Sequence, residues 1–301
     1  MPLPVVKEES AGRSVSERTE GSMVSIDFAK KKQVLVIHGV QAGDDADLRQ
    51  HEEIRKNVIK HLGGIAMPFE TDIFRYEDIN DEASFVVKKA LAALTGNRIA
   101  GWIVEQAVDV AGDVAIALLK GPTYELIKER FKARILASYD RREPLFIVAH
   151  SLGTIYAFDT VNDLMKQFGM FQWNQRETRP VQGLITLGSP IALDLFGRDW
   201  RSMTDLVPAG KKVDDSTKLF PWINCWDPTD PIVSGSLAGL PSDAKQFDRK
   251  FGDKPLDRGW DVRSRTVITG TGHLAAHTAY WNSADVGFTL RWMMARSGDR
   301  S

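Results

Sequence analysis

Short apolar runs alternate with segments of helical periodicity along most of the chain. Six runs have the length of strands, at residues 33–37, 67–76, 145–149, 183–187, 220–226 and 265–269. Apolar residues recur at helical spacing over residues 46–62, 83–95, 99–119, 122–139, 152–167 and 279–296. This alternation is typical of a parallel sheet with helices on both faces. We therefore predict an α/β fold with a mostly parallel, doubly wound sheet.

One connection is longer than a single crossover helix requires. Residues 77–143 separate the second predicted strand from the third and contain several of the predicted helices. In a doubly wound fold such an insertion lies beside the carboxyl ends of the strands, where ligands bind. The insertion is either a helical cap over that region or an extra layer at the sheet edge, and the sequence leaves both interpretations open.

The two ends of the chain are polar. Residues 1–22 are rich in Glu, Arg, Ser and Gly and lack the apolar segment of a secretory signal, which predicts a disordered tail. Residues 297–301 form a second polar tail. We expect residues 23–296 to form one domain that includes the insertion.

Composition narrows the function classes. Hydrophobic residues make up 43% and charged residues 26%, and the formal net charge is −1, so no overall field favours nucleic acid as a partner. The most apolar long segment, 99–119, carries Glu105, Asp109 and Asp113 on one helical face, which predicts an amphipathic helix and no transmembrane segment. The single cysteine, Cys225, excludes an internal disulfide and favours a reducing, cytoplasmic location. No pattern indicates an oligomeric state.

Ser151 lies in the most informative segment, Leu-Phe-Ile-Val-Ala-His-Ser-Leu-Gly-Thr at residues 145–154. An apolar run ends at Ala149, Ser151 follows, and Gly153 precedes a helical pattern. Small residues on both sides permit a sharp strand-to-helix turn, which exposes the serine hydroxyl and directs the first helix amides towards a developing anion. A serine at this place could also be a plain helix cap, so other segments of the chain must decide between a nucleophile and a cap.

With three further segments in the expected order, the chain resembles the α/β-hydrolase superfamily of serine hydrolases over residues 33–296. A strand that runs into His38-Gly39-Val40 resembles the family's oxyanion loop. The resemblance implies Ser151 as the nucleophile and the amides of Val40 and Leu152 as the oxyanion-hole donors. His38, Gly39, His150 and Gly153 would support this arrangement. The departure from the commoner family pattern is Ala149, where glycine is usual.

The third segment, residues 224–233, resembles the family's acid loop and contains two candidate carboxylates. Asp230 is favoured because an apolar pair follows Pro231, as in the family. Asp227 precedes a proline and could instead accept hydrogen bonds from local amides. Asp194, after the preceding strand, is a third candidate for the acid.

The fourth segment follows the last predicted strand and contains His273 and His277. His277 is favoured as the base because His-x-x-Tyr-Trp before the last helix resembles related members, and His273 stays an alternative. The two could also form a metal pair, but the accompanying Glu and a third ligand are missing from the pattern. The order Ser151, Asp230, His277 is the order that this fold imposes.

The resemblance implies hydrolysis of carboxylic esters through an acyl-enzyme, with no metal or organic cofactor. We expect a small-molecule ester substrate, and the apolar residues within 83–119 favour lipid-like acyl groups. A thioesterase, an amidase or an acyltransferase would use the same three residues. A non-catalytic relative that binds a partner protein is the alternative from another class.

Overall fold

In the computed structural model the described residues are 24–39, 49–62, 67–76, 121–167, 175–192, 206–230, 233, 247, 251–252, 254–270 and 274–296. Several predictions fall outside these ranges. They concern the two tails, the helical patterns at 83–95 and 99–119, and the site candidates Val40, Asp194 and His273.

The six strands form one sheet in which every pair of neighbours is parallel. They are β1 (Lys32–Ile37), β2 (Phe69–Phe74), β3 (Leu145–His150), β4 (Gly183–Leu187), β5 (Phe220–Trp226) and β6 (Trp260–Thr266). Their order across the sheet is β2-β1-β3-β4-β5-β6. The predicted fold class, a doubly wound parallel sheet flanked by helices, is confirmed.

The described helices are α1 (Gln50–Lys60), α2 (Pro122–Asp140), α3 (Gly153–Met165), α4 (Pro255–Arg258), α5 (Leu274–Thr278) and α6 (Ala284–Arg296). Short 3-10 turns cover Arg176–Thr178, Pro190–Ala192, Ser216–Lys218 and Tyr280–Asn282. Helix α2 lies at the end of the long predicted insertion and leads directly into β3. None of the helices in these ranges combines the length and the apolar character needed to cross a bilayer.

Strand β3 shows how the sheet is covered on both faces. All six of its residues are buried. Leu145, Ile147 and Ala149 share one apolar cluster with α2 and α3. Phe146 and Val148 point to the other face, where they share a cluster with α1 and α6. Because successive side chains of a strand alternate between the faces, an uninterrupted apolar run is what two covered faces require.

The last strand begins earlier than predicted. The pattern predicted residues 265–269, whereas β6 spans Trp260–Thr266 and only its end overlaps that range. In β6 charged residues alternate with uncharged ones, of which only Trp260 and Val262 are apolar, and within the described sheet the strand pairs only with β5. A half-exposed edge strand needs no apolar run. The apolar residues that suggested a strand at 265–269 include Ile268, which lies after the end of β6 and is 76% exposed.

The last predicted helix, 279–296, is divided into a 3-10 turn and α6. Ser283 lies between them with an extended backbone, at φ −67° and ψ 125°. The side-chain amide of Asn57 in α1 donates to the carbonyls of Trp281 and Ser283, at 3.1 and 2.7 Å. These bonds satisfy carbonyl oxygens at the junction between the turn and α6. The strands predicted at 183–187 and 220–226 have the bounds that the structure shows. The other predicted strands and helices in the described ranges differ from it by one to four residues at one or both ends.

Candidate active site

Ser151 occupies a sharp turn between β3 and α3. Its backbone φ is 51°, in the left-handed region that a non-glycine residue rarely adopts. The turn is held by hydrogen bonds, because the Ser151 amide donates to the carbonyl of Leu187 at 3.0 Å and Thr154 donates to the carbonyl of Ser151. A strained residue kept in place by its surroundings is common at functional sites.

The end of β1 lies directly against this turn. A Cβ built on Gly153 would lie 2.3 Å from the carbonyl oxygen of His38, and one on Gly39 would lie 2.6 Å from the Cβ of Ser151. Only glycine therefore fits at either position without a shift of the backbone. The close approach explains both glycines of the sequence pattern and brings the segment that precedes Val40 against the serine.

Ser151, His277 and Asp230 form a continuous hydrogen-bonded chain, although they lie far apart in the sequence. Nε2 of His277 is 2.9 Å from Oγ of Ser151, and Nδ1 is 2.9 Å from Oδ2 of Asp230. Asp230 is fully buried and His277 is 7% exposed. The three residues follow the carboxyl ends of β3, β5 and β6, which meet at one edge of the parallel sheet.

Asp227 belongs to the same loop but has different partners. Its Oδ1 accepts hydrogen bonds from the amide and hydroxyl of Thr229, and its Oδ2 accepts both from Thr269, all at 2.7–2.8 Å. Burial pushes the pKa of this carboxyl up, but the four hydrogen bonds outweigh it and hold the pKa below its ordinary value. Asp227 thus ties the acid loop to the segment that leads from β6 towards His277.

Two residues of the site were missed as contributors by the sequence analysis. Tyr280 donates its hydroxyl to Oδ2 of Asp230 at 2.8 Å and accepts from the backbone amide of Asp227 at 2.9 Å. Gly188 has a φ of 55°, and a Cβ there would lie 2.9–3.1 Å from atoms of Tyr280, Asp230 and His277. The available signals were the tyrosine of the His-x-x-Tyr-Trp pattern and a glycine immediately after β4.

His150 connects the serine turn with the histidine segment. Its Nε2 lies 2.6 Å from the carbonyl oxygen of His277, so this nitrogen carries the proton and donates. Burial, and then the neighbouring His277, lower the pKa of His150 to about 3. His150 is therefore neutral near pH 7 and supports His277 without a competing charge.

Of the two predicted oxyanion donors, the amides of Leu152 and Val40, only that of Leu152 lies among the described residues. Leu152 directly precedes α3, and the nitrogen of its amide lies 3.2 Å from the position of a Cβ built on Gly39. His38 is buried, its ring stacks on Tyr76, and its carbonyl accepts a hydrogen bond from the Tyr76 hydroxyl at 2.9 Å. Val40 lies outside the described residues, so its role stays a prediction.

Two other chemistries, a cysteine nucleophile and a metal site, have less support near this edge of the sheet. Burial raises the pKa of the Cys225 thiol to about 12, so the thiol is not an ionised nucleophile at neutral pH. Within the ranges given above, no three His, Cys, Asp or Glu side chains come together as a metal site. His273, one member of the suggested metal pair, lies outside these ranges.

A parallel, doubly wound sheet with a serine on a sharp turn between a strand and a helix defines the α/β-hydrolase fold, and this chain has that fold. No family model and no curated protein sequence matches the chain.

Several solved structures are similar at low identity. A dienelactone hydrolase from Anabaena variabilis has 12% identity and a TM-score of 0.37, with 90% of this chain and 88% of that chain covered. A soluble variant of monoglyceride lipase from Saccharomyces cerevisiae has 12% identity and a TM-score of 0.39, with 92% and 90% covered. TT1662 from Thermus thermophilus has 15% identity and a TM-score of 0.39, with 92% of each chain covered.

Proposed function

We propose that this protein is a serine hydrolase that cleaves carboxylic esters through an acyl-enzyme. The observation that carries the proposal is the hydrogen-bonded chain from Oγ of Ser151 through the imidazole of His277 to Oδ2 of Asp230, with both bonds at 2.9 Å. A nucleophile, a base and a group that orients the base are the three parts that such a reaction needs.

The roles follow from the atoms that face each other. An ionised Asp230 only accepts hydrogen bonds, so the proton of neutral His277 resides on Nδ1 and leaves the lone pair of Nε2 for the Ser151 hydroxyl. As Oγ attacks the substrate carbonyl, Nε2 takes its proton, and Asp230 stabilises the imidazolium that forms. The proton then passes to the leaving alcohol. Water repeats the cycle on the acyl-enzyme and regenerates Ser151.

Negative charge develops on the carbonyl oxygen in the tetrahedral intermediate. We assign its stabilisation to the amides of Leu152 and Val40, which supply two donors beside the nucleophile. The close contact between Gly39 and Ser151 supports this assignment, since it brings the backbone before Val40 to the serine turn. Loss of one such donor typically costs about 3 kcal/mol of transition-state stabilisation.

The proposed substrate is a small-molecule ester, with a lipid-like or otherwise apolar acyl group as the specific hypothesis. This hypothesis rests on the apolar pattern of residues 83–119, which lie outside the described ranges. A series of p-nitrophenyl esters of increasing acyl length tests it, because preference for two- to four-carbon acyl groups would contradict a lipid substrate. The cytoplasmic location rests on the single Cys225 and is likewise a proposal.

Replacement of Ser151 by alanine tests the proposed reaction. We expect hydrolysis of a short p-nitrophenyl ester to fall by at least about 10⁴-fold, together with loss of labelling by a fluorophosphonate. Ser138→Ala is the matched control, because Ser138 is a buried serine near the end of α2 that accepts a hydrogen bond from Arg141. Unchanged turnover in Ser151→Ala would refute the proposal. Parallel assays of an oxygen ester, a thioester and an amide identify the preferred acyl substrate.

A further inference from the structure

The phenol of Tyr280 bridges the two aspartates of the acid loop. Its O–H donates to Oδ2 of Asp230 at 2.8 Å, and its oxygen accepts from the backbone amide of Asp227 at 2.9 Å. Nδ1 of His277 lies 2.9 Å from the same Oδ2. One carboxylate oxygen therefore receives two donors, the imidazole N–H and the phenol O–H.

Tyr280 is held so that it can act only as a donor to Asp230. The residue is fully buried, and burial together with the adjacent Asp230 raises its pKa far above the ordinary value of a tyrosine. The phenol thus keeps its proton throughout the pH range in which the protein would work. The amide of Asp227 polarises the phenol oxygen and strengthens the O–H as a donor.

The backbone around Tyr280 fixes the position of the ring. Gly188 packs against it so closely that a Cβ at Gly188 would lie 2.9 Å from ring atom Cε2. The residue also begins the 3-10 turn that Asn57 anchors through the carbonyls of Trp281 and Ser283. A ring held from several sides gives the phenol one orientation towards Oδ2.

We propose that Tyr280 is a positioning residue that sets the basicity of His277 through Asp230, an inference that rests on the proposed function. The phenol donor draws negative charge from the oxygen that faces Nδ1, so this carboxylate stabilises the imidazolium less than it would without the phenol. The same bond fixes the rotamer that presents Oδ2 to Nδ1. Tyr280 thereby makes His277 a weaker base than it would be without the phenol.

The titratable groups around Asp230 and His277 should not obscure an effect of Tyr280 on the basicity of His277. Asp230 lies against His277, Tyr280 and Gly188. His277 also contacts Ser151 and the ring of His150, and the centroids of the two imidazole rings are 4.8 Å apart. His150 is neutral near pH 7 because its pKa is about 3. The Asp227 carboxylate is bonded to Thr229 and Thr269 and is ionised in the same range. Neither His150 nor Asp227 is expected to change charge near neutral pH.

Tyr280→Phe removes the donor and keeps the ring. We expect the acidic limb of the pH profile of kcat/KM, which reports the base of the free enzyme, to move up by about 0.5–1 pH unit. Tyr139→Phe is the matched control, since Tyr139 is a buried tyrosine whose hydroxyl donates to the carbonyl of Val24. Its hydrogen bond lies before β3, at the opposite end of the strand from Ser151, so its loss should not move the limb.

Incorporation of 3-fluorotyrosine at position 280 provides a second variant of nearly native size. Its more acidic phenol is a stronger donor, so the acidic limb should move down. A purely structural role for Tyr280 predicts lower stability in Tyr280→Phe but no opposite shifts in the two variants. If Tyr280→Phe does not fold, the fluorinated protein alone decides, and an unchanged limb overturns the inference.

A titration of His277 by nitrogen-15 NMR in a Ser151→Ala background separates this inference from the proposed function, because it needs no turnover. A higher pKa of His277 in the Tyr280→Phe, Ser151→Ala double variant supports the inference. An unchanged pKa there overturns it, even where Ser151→Ala abolishes hydrolysis. Continued hydrolysis by Ser151→Ala would refute the proposed function and leave the NMR result to be judged separately.

Discussion

Asp227 and Asp230 lie in one loop and are similarly buried, at 3% and 0% exposure, yet the partners of their carboxylates differ. Asp227 is surrounded by amides and hydroxyls of Thr229 and Thr269. Asp230 shares one oxygen between the imidazole of His277 and the phenol of Tyr280. Hydroxyl and amide donors hold a carboxylate in place, whereas an imidazole can carry a proton to and from a substrate. The partners, rather than the burial, therefore distinguish a structural aspartate from one proposed to take part in catalysis.

Asp230→Asn gives the largest effect that this comparison predicts. An asparagine amide can donate to Nδ1 of His277, which favours the tautomer with its proton on Nε2 and removes the base from Ser151. We expect kcat for an ester substrate to fall by about 10³–10⁴-fold. Steady-state kinetics on folded protein measures this loss.

Asp227→Asn and Asp194→Asn are the matched variants in the same assay. Activity lost in Asp227→Asn and kept in Asp230→Asn would reverse the roles assigned to the two carboxylates. Activity kept in both, and lost in Asp194→Asn, would assign the acid to the third sequence candidate.

Asp227→Asn should act on stability instead. The asparagine keeps one acceptor oxygen, but its NH₂ group would face the N–H and O–H of one threonine. The hydroxyl can turn to accept from the NH₂ group, whereas the backbone N–H loses its partner at a partly buried position. We expect a loss of about 1–3 kcal/mol in the free energy of unfolding, measured by urea denaturation, with kcat within several-fold of the parent.

Asp163→Asn is the control for the loss of a carboxylate, since Asp163 forms a half-exposed ion pair with Lys128 on the surface. Such pairs contribute about 0–1 kcal/mol. Equal losses of stability in the two variants would contradict a structural role specific to Asp227.

The difference between the two aspartates was only partly predictable from the sequence. The apolar pair after Pro231 favoured Asp230, and the proline after Asp227 indicated a turn, because both signals are local. The contact of Tyr280 with Asp230 joins segments that follow two different strands, and it depends on Gly188, which follows a third. No local pattern encodes such a contact, just as none predicted that the charged sequence of β6 would form an edge strand.

The smallest predicted effect concerns acid stability. The folded pKa of Asp227 lies below its unfolded value, so its contribution is complete above the unfolded pKa, about 3.9, and is lost as pH falls through the folded value. The difference in unfolding free energy between the parent and Asp227→Asn should therefore be constant from about pH 5 to 7 and shrink below about pH 4. Urea denaturation of both proteins across this range measures it. A difference that grows in acid would mean that Asp227 is bound more strongly as the neutral acid, contrary to the hydrogen bonds that its carboxylate accepts.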